Sequence, residues 1–314
     1  MAVYVNTNVS SLNGQRYLNN VQTSLNTTYT RLSSGLRINS AKDDAAGLQI
    51  ADRLTSQING LNQGNRNAND GIALAQTIEG GLDEISNMLQ RIRTLAVQSA
   101  NGTLGKDDRK AIQNETKALT DEITRIAEDT TFGGKTILAG YDGGKSIYLT
   151  EAGGDNKVGC QGTLKLHVGA NTDNIIDMEV FNFKFSQLAS AAGVSKAGGV
   201  AAGNITKGYN TASNTFFLST QSAANASIAF IDKMIAAVDS QRADLGAIQN
   251  RLESSIRNQS NVSANSADAR SRIRDADFAE ESANLSQQSI IQQAATSMLM
   301  QANTRPQLAL SMLG

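Results

Sequence analysis

The chain has 314 residues and a net charge of −1; 4% of the residues are aromatic, tryptophan is absent, and Pro306 is the single proline. So few large aromatic side chains argue against a compact enzyme core, and a charge near zero provides no global field for nucleic acid or an anionic membrane. No stretch approaches the roughly 18 consecutive apolar residues of a membrane span, and no basic segment followed by an apolar one suggests a cleavable secretory signal. Because proline is so rare, long helices packed side by side are the favoured architecture.

Residues 1–35 predict an amphipathic helix with a narrow apolar stripe at heptad-compatible spacing. The segment is rich in Asn, Ser and Thr, whose helix propensity is middling, so we expect packing to stabilise it. The apolar positions are Leu18, Val21, Leu25 and Leu32.

The longest apolar stripe of the chain follows, in residues 54–96, at steps of three and four residues. A period of about 3.5 residues predicts one helix, roughly 65 Å long, that packs along other helices. Gly35 is expected to end the preceding helix, and Ser40 with Asp43 to form a capping box that opens the long one.

A second helix, capped by Asp107 or Asp108, should fold back antiparallel on the first. The period then shortens toward two in residues 130–148, which predicts turns and β-hairpins. Residues 150–215 contain two alternating apolar sets that predict short strands in a small β-rich module. These sets are Leu164, Leu166 and Val168, and Phe181, Phe183 and Phe185.

The helical period returns at Gln221, and this second long stripe is the natural partner of residues 54–96. A last weak helix is predicted for residues 278–313, which are rich in Gln, Ser and Ala. The two terminal helices have no obvious partner except each other and further copies of the chain. That arrangement indicates assembly.

Candidate catalytic and metal-binding groups are few. His167 is the one histidine. A histidine without a second ligand nearby is far more often a solvent-facing strand residue than a catalytic or metal-binding group, and we interpret His167 in that way. Cys160 lies in a Gly-rich turn, which indicates an incidental thiol. Residues 134–136 and 144–146 imitate the end of a phosphate loop but lack its first glycine. We therefore predict no enzyme activity, no cofactor and no metal site.

Six segments on both sides of the middle module closely resemble bacterial flagellins. The opening residues 5–9 (VNTNV) are most similar to flagellins of polar-flagellated Gram-negative bacteria. The six segments are residues 31–54 (RLSSGLRINSAKDDAAGLQIADRL), 67–72 (NANDGI), 90–101 (QRIRTLAVQSAN), 132–138 (FGGKTIL), 274–279 (RDADFA) and 301–313 (QANTRPQLALSML).

The resemblance implies a mainly α fold: a long antiparallel helical rod or coiled coil formed by both termini, with a β-hairpin region and a small β-rich outer insert. Residues 1–42 and 271–314 would be the terminal helices of an inner-tube coiled coil. Residues 43–149 and 216–270 would be the helical rod with its β-hairpin, and residues 150–215 the variable outer domain.

The resemblance also implies three groups of functional residues. A rod interface, recognised in some flagellins by the vertebrate flagellin-sensing Toll-like receptor, would include Leu95, which we expect to be exposed because Ile92 and Ala96 occupy the seam. The inner-tube contacts would be Leu18, Val21, Leu25, Leu32, Phe278, Leu285, Ile291, Met298 and Leu299. The receptor patch would be Gln90, Arg91, Leu95, Gln98 and Glu115. Candidate O-glycosylation sites are Thr206, Thr211, Ser213, Thr215 and Ser219.

The implied function is that of a structural subunit which polymerises with itself into the flagellar filament, outside the cell. Implied partners are an export chaperone, the filament cap, hook-junction proteins and the host receptor, with export through the flagellar type III apparatus. The alternatives are a hook–filament junction protein or another secreted coiled-coil scaffold. An adhesin or enzyme carried by the middle module is a further class, although that module offers no clustered acid–base, thiol or metal set.

Overall fold

The computed structural model describes residues 7–141, 144–148, 162–191, 209–210 and 215–311. The chain forms two compact units: Met1–Asn59 with Val262–Gly314, and Gly60–Asn261. The helices are α1 (Val9–Ser34), α2 (Ala45–Ala100), α3 (Lys106–Asp129), α4 (Phe185–Ala191), α5 (Gln221–Arg274) and α6 (Phe278–Ser311). The strands are β1 (Thr131–Phe132), β2 (Lys135–Thr136), β3 (Gly162–His167), β4 (Ile175–Val180), β5 (Tyr209–Asn210) and β6 (Thr215–Phe216). They pair antiparallel as β1–β2, β3–β4 and β5–β6, and the predicted mainly α fold is confirmed.

Helix α1 ends where the sequence predicted. Gly35 adopts φ 70°, a left-handed conformation that glycine reaches without strain, and its N–H donates to the carbonyl of Arg31. The start of α2 differs from the prediction. Asp43 accepts hydrogen bonds from the backbone N–H groups of Ser40 and Asn39 (2.9 and 3.1 Å), which close a turn before the helix.

The residue that caps α2 is Asp44, whose side chain accepts from the backbone N–H of Gly47 at 2.9 Å. The backbone N–H groups of Ser40 and Asn39 hold the pKa of the Asp43 carboxyl below its usual range. Two adjacent aspartates at the same junction could each have served as the cap. The capping prediction was therefore displaced by four residues, from Ser40 to Asp44.

In the unit formed by Gly60–Asn261, helix α2 has a neighbour on two sides. Arg91 pairs with Glu115 of α3 at 2.7 Å, and Arg93 pairs with Asp232 of α5 at 2.6 Å. Arg242, which interrupts the apolar stripe of α5, pairs with Asp83 at 3.2 Å. Because residue numbers fall along α2 as they rise along α5, these two helices are antiparallel.

The core of this unit is the predicted α2 seam together with the stripes of α3 and α5. Ile78, Leu82, Ile85, Leu89 and Ile92 are each 0% exposed. At about 1.5–3 kcal/mol for each fully buried aliphatic side chain, this seam is a main source of stability for the unit.

The β elements follow the predicted alternation only in part. In β4 the side chains of Ile176, Met178 and Val180 face the core while the intervening residues are exposed. The predicted strand at Phe181, Phe183 and Phe185 does not form. The physical reason lies at Asn182. Its side-chain oxygen accepts a hydrogen bond from the backbone N–H of Lys184 at 2.9 Å, which closes a turn directly before α4.

The predicted hairpin after α3 is present. Strands β1 and β2 pair Thr131 with Thr136 and Phe132 with Lys135. Gly133 and Gly134 form the two-residue turn with φ 58° and 79°. Positive φ at both central positions is the geometry whose twist matches that of paired strands.

Glutamine side chains join the short strands to the helices. Gln113 of α3 accepts from the backbone N–H of Leu218 at 2.6 Å and donates to the carbonyl of Phe216. Gln241 of α5 donates to the carbonyl of Glu179 at 2.9 Å and accepts from the N–H of Phe181 at 3.3 Å. Each amide thus replaces the strand neighbour that a two-stranded sheet lacks.

Replacing Gln113 by alanine should lower the free energy of unfolding by about 2 kcal/mol, because the buried backbone N–H of Leu218 loses its hydrogen-bond acceptor. Phe216 and Leu218 are 1% and 0% exposed, so water cannot replace the amide without rearrangement. Urea unfolding followed by circular dichroism checks this, with the exposed Gln90→Ala as the matched control. An equal effect of both variants would contradict it.

Candidate assembly surface

Helices α1 and α6 form an antiparallel pair held by hydrogen bonds along their length. As residue numbers rise in α1 they fall in α6, which fixes the direction of the pair. The bonded pairs are Asn8–Ala302 (2.8 Å), Ser11–Asn303 (2.7 Å), Gln22–Gln292 (2.8 Å), Thr28–Gln288 (3.3 Å) and Arg31–Glu281 (3.1 Å).

The ion pair between Arg31 and Glu281 is partly enclosed, since the Glu281 side chain is only 9% exposed. Gly14 provides a close approach: a Cβ there would lie 3.1 Å from Cδ1 of Leu299. The pair is therefore specified both by polar partners and by the absence of a side chain at one position of α1.

The predicted inner-tube residues fall into three groups. Val21 and Leu25 are buried between the helices, at 9% and 6% exposure, while Phe278 and Met298 are exposed at 58% and 67%. The remaining five are half-buried: Leu18, Leu32, Leu285, Ile291 and Leu299. The described pair thus leaves part of the predicted contact surface open to water.

Among the described residues of α1 and α6, eight large apolar side chains are exposed, and we call them the terminal apolar set. Their exposed fractions run from 53% to 67%, higher than those of the three such residues described in Gly60–Asn261, Val97, Ile175 and Phe181. The set is Val9, Leu12, Tyr17, Tyr29, Phe278, Ile290, Met298 and Met300.

The terminal apolar set does not lie on one stripe. Each helical residue turns by about 100°, so Met298 and Met300 lie about 200° apart around α6. A helix pair with apolar groups on several sides fits a position enclosed by several neighbours better than one flat interface. Leu12, Tyr17 and Tyr29 were missed by heptad reasoning, although apolar residues outside the stripe of a polar helix are the signal that could have found them.

A groove of about 880 Å³ lies between α1 and α6 near their free ends. The groove exists because most of the side chains that line it on both helices are small. Tyr17 and Met298 are among the larger lining residues. The lining residues are Ser10, Asn13, Gly14, Tyr17, Ile291, Ala294, Ala295, Met298, Gln301, Ala302 and Thr304.

Two family models match the chain: the bacterial flagellin N-terminal helical region over residues 5–142 and the bacterial flagellin C-terminal helical region over residues 228–313. Flagellin B of Vibrio cholerae is 39% identical over 376 residues, and polar flagellin B/D of Vibrio parahaemolyticus is 39% identical over 380 residues. Each of these comparisons covers 100% of both chains. The chain belongs to the bacterial flagellin family.

The likeness also extends to a solved structure. A protein described as a flagellar hook-associated protein from Vibrio parahaemolyticus is 18% identical, with a TM-score of 0.51 over 73% of this chain and 100% of that one. At that identity the likeness concerns the fold alone. The predicted flagellin family, the similarity to polar flagellins and the role of structural subunit of the bacterial flagellar filament are confirmed by the family models and the full-length relatives.

In this flagellin, the predicted receptor patch is exposed except at Leu95. Arg91 and Glu115 form an ion pair whose side chains are 56% and 44% exposed, and Gln90 and Gln98 are exposed beside it. Leu95 is only 2% exposed and belongs to the hydrophobic core. The expectation that it is exposed was wrong, because α2 packs against both α3 and α5 and buries a wider stripe than a single seam.

Of the candidate O-glycosylation residues, Ser219 is half-buried and Thr215 belongs to strand β6. Thr206, Thr211 and Ser213 lie outside the described residues, as does Cys160. His167 is exposed at the end of β3, as predicted, and its backbone carbonyl accepts from the side-chain amide of Asn67 at 2.8 Å.

Within the described part of this flagellin, no three His, Cys, Asp or Glu side chains are placed to hold a metal ion. None of the helices in the same residues has the length and hydropathy needed to cross a membrane.

Proposed function

We propose that the flagellin polymerises through its terminal helices, with residues 1–42 and 271–314 packed as the inner tube of the filament. Residues 43–149 and 216–270 would form the helical rod between neighbouring subunits, and residues 150–215 the outward-facing domain. The observation that carries this proposal is the terminal apolar set, in which eight large side chains of α1 and α6 are more than half exposed in the free chain.

Burial of this set supplies the driving force. An apolar side chain taken fully out of water contributes about 1.5–3 kcal/mol, and helices of middling propensity gain order from the same contacts. Association between different patches of identical subunits is heterologous, and a rotation that does not close produces a helical fibre. Charged groups on α2, α3 and α5 would set the register between subunits more than their affinity.

The proposed partners are those that the resemblance to flagellins implies. A subunit inside the cell would expose the terminal apolar set to other copies, so a cytosolic chaperone that covers α6 would prevent premature growth. Export of the unfolded chain through the flagellar type III apparatus, and assembly under a filament cap on hook-junction proteins, would then place it outside the cell. The role is structural rather than enzymatic.

Deleting residues 1–40 and 275–314 should abolish filament formation. The deletion removes the terminal apolar set and leaves Gly60–Asn261, which is a compact unit by itself. The measurement is electron microscopy after adding filament seeds, with the intact chain as the matched control, and we expect long filaments from the intact chain only.

Two outcomes would contradict the proposal. Filaments from the truncated chain would place the assembly contacts elsewhere. An intact chain that stays monomeric, while seeds of a known flagellin grow with their own subunit, would instead favour a hook–filament junction protein or another secreted coiled-coil scaffold.

We further propose that the exposed residues Gln90, Arg91, Gln98 and Glu115 form the surface recognised by the vertebrate flagellin-sensing Toll-like receptor. This proposal is supported by their common exposure on α2 and α3, with Leu95 supporting the patch from the core. The same surface would be covered between subunits of a filament, so recognition would be of the monomer.

The substitution Arg91→Glu should weaken receptor activation by the monomer at least about tenfold, equivalent to about 1.4 kcal/mol. Charge reversal places two carboxylates together where an ion pair stood. The matched control is Arg125→Glu, because Arg125 is also an exposed arginine that forms an ion pair, in its case with the carboxylate of Glu122. A receptor-reporter cell assay measures both, and equal losses would contradict the assignment.

The outer domain and the residues directly after it are the proposed site of O-glycosylation, at Thr206, Thr211, Ser213, Thr215 and Ser219. Hydroxyl groups of an outward-facing segment would stay accessible after assembly, which supports modification there. Peptide mass spectrometry of the native filament tests these positions.

A further inference from the structure

Of the five methionines described in this flagellin, four have sharply different environments, and the fifth, Met88, is half-buried. Met178 and Met234 are 0% exposed in the hydrophobic core of Gly60–Asn261. Met298 and Met300 of α6 are 67% and 65% exposed, and Met298 also lines the groove between α1 and α6. Two thioether sulfurs are therefore open to solutes in the surface that the proposed function assigns to assembly, while two others are enclosed.

We propose that Met298 and Met300 form an oxidation site through which peroxide blocks incorporation of the subunit into a filament. This inference rests on the proposed function of the terminal helices. The thioether sulfur attacks one oxygen of hydrogen peroxide, the O–O bond breaks, and the products are methionine sulfoxide and water. Sulfur loses two electrons and the peroxide gains them, so no further reactant is needed.

The oxidation changes the surface that the next subunit must cover. A thioether is a flexible apolar group that fills irregular contacts, whereas a sulfoxide carries a strong hydrogen-bond acceptor. An acceptor enclosed without a donor opposes association. Met298 and Met300 lie on different sides of α6, so oxidation of the pair affects more than one neighbour.

The same geometry restricts oxidation by peroxide to subunits that have not yet joined a filament. Once α6 is packed in a filament, its sulfurs are covered and peroxide no longer reaches them. Oxidative damage would therefore stop growth without dissolving filaments already formed. Methionine sulfoxide reductases act on the free subunit and would reverse the block.

The test uses partially oxidised full-length flagellin and needs no substitution. Monomer is treated with hydrogen peroxide, the peroxide is removed, and filament seeds are added. Filaments are then separated from the remaining monomer, and peptide mass spectrometry measures the sulfoxide fraction at each methionine in both pools. We expect sulfoxide at 298 and 300 to be enriched at least about tenfold in the monomer pool, with Met178 and Met234 unoxidised in both.

A second arm treats the M298L/M300L variant in the same way. It should elongate after peroxide as it does before, and reductase treatment should restore growth of oxidised wild type. Equal sulfoxide fractions at 298 and 300 in the two pools would overturn the inference. Failure of untreated wild type to elongate would overturn the proposed function instead, so the two results are distinguishable.

Discussion

Replacing both Leu12 and Ile290 by glutamine should abolish filament growth and leave the free subunit folded. The two side chains are 57% and 66% exposed in the described chain, and exposed substitutions of this kind usually change stability by less than about 0.5 kcal/mol. In a filament the same amides would be enclosed without hydrogen-bond partners, which would weaken association by about 1–3 kcal/mol for each amide. Seeded elongation and thermal unfolding, measured on one preparation, separate the two effects.

The matched control is Ile175→Gln. Ile175 is an exposed isoleucine of β4, at 42%, within residues 150–215, the proposed outer domain. This variant should elongate at the wild-type rate. Normal growth of the Leu12/Ile290 variant, or an equal loss in the control, would contradict the assignment of assembly to the terminal apolar set.

The second large effect is expected from Leu89→Ala, which should lower the free energy of unfolding by about 3 kcal/mol. Leu89 is 0% exposed in the α2 seam, where α3 and α5 flank the helix, so the surrounding side chains cannot collapse fully into the cavity. The midpoint of urea unfolding, followed by far-ultraviolet circular dichroism, measures the change.

Glu84→Ala is the control for this prediction, since Glu84 lies on the exposed side of the same helix. It should shift the midpoint little. A loss below about 1 kcal/mol in Leu89→Ala would show that the seam tolerates a cavity and is less tightly packed than its burial indicates.

The helices of this flagellin were predictable because each carries a long apolar stripe with helical period and few breakers. The partner of the α2 seam, α5, followed from the same reasoning across the middle region. Positions where side chains compete for hydrogen bonds to the backbone were less predictable. At Asp43 and Asp44 two adjacent carboxylates compete for the cap, and at Asn182 a single side-chain hydrogen bond converts an alternating apolar segment into a turn.

The candidate site shows a different limit. A stripe predicts which residues face one neighbour, so Val21 and Leu25 were found, but it does not show how many neighbours a helix has. Leu95 is buried because α2 has two neighbours, α3 and α5. Tyr17 is exposed although α6 packs along α1 in the described part of the chain. The number of neighbours comes from tertiary structure, and in a polymer also from contacts between subunits.

The central claim is that the terminal apolar set is the surface buried when subunits assemble. Electron cryomicroscopy of the filament grown from the intact chain tests it most directly. We predict that contacts between neighbouring subunits cover most of the set, including Leu12, Ile290 and Met298. A filament in which these side chains remain open to solvent, with subunits joined through α2, α3 and α5 alone, would contradict the claim.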